Sequence, residues 1–123
     1  MSMIKLIPFL FVPAVSWSAT TITGGNLGNA DWDSSNSPYI IEGDVTVQAG
    51  ATLNIGKGVE VRFKSSDGQQ SGLDHSRIEL IVEGTLTVAG TESEPVEFHA
   101  DSGTSKNTWY GIVVDENATS AVI

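Results

Sequence analysis

The segment Ile41-Glu42-Gly43-Asp44-Val45-Thr46-Val47-Gln48-Ala49-Gly50 returns as Val82-Glu83-Gly84-Thr85-Leu86-Thr87-Val88-Ala89-Gly90, with one residue dropped. Strand-forming residues that recur around glycine corners describe a coiled sheet, in which each repeat buries its apolar face against the next. A globule with one closed core does not need such a phrase twice. In a coil of this kind the scaffold has no activity of its own, and function rests on a few outward side chains.

From Tyr39 onward the chain alternates with period two. Val45 and Val47 face one way, with Asp44 and Thr46 facing the other. The same holds for Leu53 and Ile55, then for Val59, Val61 and Phe63 against Glu60 and Arg62. Ile78, Leu80 and Val82 oppose Glu79 and Glu83, Leu86 and Val88 oppose Thr85 and Thr87, and Val96 and Phe98 oppose Glu97 and His99. Such alternation marks half-buried strands. The runs are too closely spaced for βαβ units, and most of the turns between them lack the Asn-Gly or Asp-Gly of two-residue hairpins. Parallel stacking at about 4.8 Å per rung pairs the interior backbone instead. Two registers suggest themselves, Val45 over Leu86 at two rungs and Leu53 over Leu80. The polar stretch Lys64–Arg77 reads as an excursion loop, and Ala100–Thr108 as a second.

The two ends differ from the middle. Lys5, the apolar run Leu6–Val15 and the small residues Ser16, Ser18 and Ala19 follow the order of a secretory signal peptide, expected over residues 1–18. The apolar run is too short for a membrane span, which needs ~20 residues. Residues 19–38 are polar and glycine-rich and read as an N-terminal cap, with Trp32 folded over the end of the core. Residues 39–123 read as rungs. The chain stops inside Ala121-Val122-Ile123 with no polar cap, so the expectation is of the first three to four rungs of something longer, or of strand-edge pairing at that end.

The formal net charge is −9, and loss of Lys5 with the signal leaves five basic residues against fifteen acids, or −10. That balance excludes nucleic acid, which demands a basic patch. With no cysteine the exported chain gains no disulfides and depends on hydrogen-bond ladders and apolar stacking.

Taken together, Pro38–Val47, Gly50–Phe63, Val82–Thr91, Glu94–Phe98 and Trp109–Ile112 resemble the N-terminal rungs of secreted bacterial right-handed parallel β-helix proteins of the pectate-lyase-like architecture. The resemblance spans roughly residues 38–114 and implies an all-β, right-handed parallel β-helix (solenoid). That group includes surface and adhesin-like modules as well as polysaccharide lyases and hydrolases, so it speaks to fold more than to activity.

Resemblance to a lyase would imply acidic residues holding calcium, with a Lys or Arg as base. Asp115-Glu116-Asn117 is the densest oxygen cluster and the candidate calcium site, but no basic residue is near it in sequence. Trp109 and Tyr110 are neighbours on one strand, so one ring points outward and is the candidate for stacking on a sugar. Asp74-His75 and His99-Ala100-Asp101 are the His–acid pairs, without the spacing of a metal site or a hydrolase nucleophile turn. They read as solvated histidines, His99 being placed to line an external groove. Glu60, Arg62, Glu79, Glu83 and Glu97 are expected to form outward charge ladders. The reading is a secreted or cell-surface module, non-catalytic in this segment and needing no cofactor. It contacts extracellular polysaccharide or another surface polymer. The alternative is the N-terminal part of a polysaccharide lyase or hydrolase whose groove lies beyond residue 123.

Overall fold

A computed structural model describes residues 19–103 and 105–123; the expected signal peptide at 1–18 lies outside the described residues. The chain winds through four coils of three strands. Coil 1 holds β1 (Thr20–Ile22), β2 (Gly25–Leu27) and β3 (Ala30–Trp32), and coil 2 holds β4 (Tyr39–Ile41), β5 (Val45–Val47) and β6 (Thr52–Ile55). Coil 3 holds β7 (Glu60–Phe63), β8 (Glu79–Val82) and β9 (Thr85–Val88), and coil 4 holds β10 (Glu97–Ala100), β11 (Gly111–Val114) and β12 (Ser120–Val122). Each coil gives one strand to each of three sheets, β1-β4-β7-β10, β2-β5-β8-β11 and β3-β6-β9-β12, and every pairing is parallel. This is a right-handed parallel β-helix.

Alternation predicts the interior correctly. Val45, Val47, Leu53, Ile55, Val59, Val61, Phe63, Ile78, Leu80, Val82 and Leu86 are all buried, and Val88, Val96 and Phe98 pack against them. Each such aliphatic or Phe side chain contributes roughly 1.5–3 kcal/mol on burial. Residues 19–38 differ from the expected irregular cap. Thr20–Trp32 supplies three short strands, and a single 3-10 turn at Ser34–Asn36 leads into coil 2. Trp32 is an inward, buried residue of β3, stacked on Tyr39 with ring centroids 4.8 Å apart.

The register differs from both expectations. Val45 lies under Leu80, and Leu86 lies over Leu53. The repeated phrase does not stack on itself because it encodes a corner, not a rung. Glu42-Gly43 turns the chain from the first sheet to the second, between β4 and β5. Glu83-Gly84 turns it from the second sheet to the third, between β8 and β9. Gly84 is required there by close approach: a Cβ would run into the carbonyl oxygens of Gln48 and Ala51 on the coil below. Gly43 faces the same constraint from Thr23 O and the Gln69 N–H, each 2.9 Å from where a Cβ would sit. The two corners share a phrase because they share that crowding.

Candidate functional site

The outward face of the first sheet carries the densest charge chemistry of the described residues. Parallel register puts Glu97 directly over Glu60, and His99 over Arg62, itself over Ile40. Alternation along β7 and β10 sends all four charged side chains outward, and stacking brings them into one block of two rows and two columns. Arg62 Nη2 donates to Glu60 Oε1 at 3.1 Å, while Arg62 Nε lies 3.0 Å from Glu60 Oε2 in an ion pair without hydrogen-bond alignment. His99 Nε2 is 2.5 Å from Glu60 Oε2, and its Nδ1 is 2.8 Å from the Ala100 carbonyl oxygen. Arg62 above all, and then His99, hold the Glu60 carboxyl below its ordinary pKa, partial burial acting the other way. The bond to Glu60 raises the Arg62 pKa in turn. At the edge of the block Lys64 Nζ pairs with Asp101 Oδ2 at 3.0 Å.

Glu60, Glu97 and His99 each place one ligand atom within 4.8 Å of the others, the one such trio among the described residues. Two clefts flank the block. One of about 500 Å³ runs past Ser37, Pro38 and Ile40 to Glu60, Arg62 and Glu97. The other, about 540 Å³, lies between His99 and Trp109 and is walled by Lys106 and Asn107.

The two expected ligand aromatics differ in exposure. Trp109 is half-buried and stacks face to face on Phe63, centroids 3.9 Å apart. Tyr110 is exposed, with the Arg77 guanidinium 5.3 Å above its ring. Neither belongs to a strand, since β11 begins at Gly111. Asp115, Glu116 and Asn117 form the turn between β11 and β12, where Asp115 Oδ1 accepts the Asn117 N–H at 2.8 Å and so closes the turn itself. His75 is exposed, and its neighbour Asp74 serves Arg77 instead, at 2.8 Å. The partner of His99 is Glu60 and not the nearby Asp101; only the register reveals that.

The second sheet has a different exterior. Glu79, expected in an outward charge ladder, points outward but is 0% exposed. The Lys64–Arg77 segment folds back over it, tied by Gly68 N–H to the Glu42 carbonyl at 2.9 Å. Within and beneath this roof lie three buried acids that spacing could not announce: Asp67 of the segment itself, and Asp44 and Glu79 under it. Asp67 accepts N–H groups from Asp44, Gln69 and Ser71 at 2.9–3.0 Å. Asp44 accepts from Glu79 N–H at 2.7 Å and from the Ser71 hydroxyl at 2.8 Å. Glu79 Oε2 accepts from Asp74 N–H at 2.7 Å, while its Oε1 has no partner. Burial pushes the Asp44 carboxyl up to about 6 against the hydrogen bonds it accepts. Burial also opposes ionisation of Asp67, but its three N–H donors prevail and lower its pKa.

A family model described as a pectate-lyase like beta helix domain matches residues 26–121. Searches of curated proteins and of solved structures return no match to the chain.

Proposed function

The chain belongs to the pectate-lyase-like β-helix family, and from that premise we propose that it is an exported, non-catalytic module that binds polysaccharide across the outer face of its first sheet. The observation behind this reading is the contrast between faces. The second sheet is roofed by Lys64–Arg77, whereas the first presents Glu60, Arg62, Glu97 and His99 between two open clefts. Paired acids and bases on that face offer both donors and acceptors to hydroxyl groups. The overall charge disfavours polyanions at low ionic strength, so the ligand class is a neutral polysaccharide. Residues 1–18 supply the export signal in this reading, and the secreted chain begins at Ala19. Affinity electrophoresis against a panel of soluble neutral polysaccharides tests it. Retardation by at least one, weakened by Arg62→Ala and accompanied by no new reducing ends, is expected. Release of reducing ends by the purified chain would put an enzyme in place of the binding module.

A further inference from the structure

We propose that Glu60, Glu97 and His99 form a site for a divalent transition-metal ion of the zinc class on the outer face of the first sheet. Metal binding at this trio needs no polymer and goes beyond polymer binding. The three ligand atoms lie within 4.8 Å of one another, on two strands whose register is set by backbone pairing. The orientation of the His99 ring suits the same trio. Its Nδ1 sits 2.8 Å from the Ala100 carbonyl oxygen, which can only accept, so Nδ1 carries the proton. In a neutral imidazole Nε2 then presents a lone pair, and it faces Glu60 Oε2 at 2.5 Å. A second proton on the ring, shared with the carboxylate, accounts for so short a contact in the metal-free chain. A metal ion would take the place of that proton and widen the separation.

A metal ion ligated by Nε2 and the carboxylates would displace that proton. A histidine ligand whose other nitrogen donates to a backbone carbonyl is the usual arrangement at metal sites, because the carbonyl fixes both tautomer and ring orientation. Glu97 is exposed, stacks over Glu60 and has no ion-pair partner among the described residues, so the second carboxylate is available. Arg62 lies along both Glu60 oxygens, with Nη2 3.1 Å from Oε1 and Nε 3.0 Å from Oε2, and so fixes the carboxylate with Oε2 against the imidazole. One imidazole nitrogen with two carboxylates suits zinc-class ions, whereas calcium takes oxygen ligands throughout. Three protein ligands leave a coordination position open to solvent.

The full chain, stripped with chelator, is titrated with Co²⁺ and with Zn²⁺ alone. One ion per chain is expected, with a visible Co²⁺ absorption band that Zn²⁺ abolishes and millimolar Ca²⁺ does not. His99→Gln and Glu97→Gln should each weaken binding at least tenfold, and His75→Gln should leave it unchanged. Absence of the Co²⁺ band, or wild-type affinity in His99→Gln, overturns the site; displacement by Ca²⁺ overturns the zinc-class assignment. Glu97 is exposed and unpaired, so Glu97→Gln still decides the matter if His99→Gln fails to fold.

Discussion

Glu60 and Glu79 are the first residues of β7 and β8, successive strands of one coil, and both point away from the core. Their fates differ completely. Glu60 keeps 27% of its side chain exposed and is shared by Arg62 and His99. Glu79 is sealed, answered only by a backbone N–H and left with one oxygen unpaired. Strand alternation sets the direction of a side chain, and what lies beyond it sets the chemistry. Here the difference is the Lys64–Arg77 segment, inserted at the corner where coil 2 needs only Glu42-Gly43-Asp44. One face is covered by its own chain, and the other is open to solvent.

If the roof is structural, removing its central acceptor should cost most. Asp67→Ala strands three N–H groups, at least one of them fully buried, each worth about 1–3 kcal/mol when unsatisfied. A loss of about 4 kcal/mol in urea unfolding is expected, and a loss under 1 would mean that the insertion floats free.

Asp44 gives the next largest effect, read as pH dependence. Its folded pKa stands at about 6, above the ordinary aspartate value of 3.8, because burial penalises the charge. Between pH 4 and 6 the folded state therefore binds the proton more tightly, and stability falls as pH rises through that window, by about 3 kcal/mol at 1.36 kcal/mol per pH unit. Asp67 and Glu60 have lowered values, so their contributions hold above pH 4 and fade on further acidification. Thermal melts should place the stability maximum near pH 4–5, and Asp44→Asn should flatten the neutral limb.

A smaller effect is expected from Gly72→Ala. Gly72 has φ +73°, and an added Cβ would lie 2.5 Å from Glu79 Oε2 and 2.7 Å from Asp44 Oδ2. Backbone strain of roughly 1–2 kcal/mol adds to that crowding, so about 2 kcal/mol of destabilisation should appear in the same urea assay. On the open face Glu60→Ala should cost at most about 1 kcal/mol, as partly exposed ion pairs do. Equal losses for Glu60→Ala and Asp67→Ala would erase the distinction between the faces.

The inward positions were legible in the sequence, because burial imposes period two on every strand from β4 to β10. The register was not. Glu42-Gly43 and Glu83-Gly84 satisfy the same crowding at different corners, so aligning them misplaces the strands. The first coil carries little period-two signal because β1 to β3 are three residues each, with Gly24, Gly25 and Gly28 among them. The buried acids are separated by loops and carry no spacing signal; a single aspartate in a polar, glycine-rich loop resembles any solvated one. Of the candidate block, Glu60, Arg62, Glu97 and His99 were recognisable as outward residues. Their meeting as a block depends on the pairing of β7 with β10, which no local pattern encodes.

The most direct test is an amide chemical-shift map of the chain titrated with a soluble neutral polysaccharide that retards it in affinity electrophoresis. Perturbations should centre on Glu60, Arg62, Glu97 and His99 and spare Asp44, Asp67 and Glu79. A footprint on the Lys64–Arg77 roof, or none on β7 and β10, would contradict the assignment of the first sheet as the binding face.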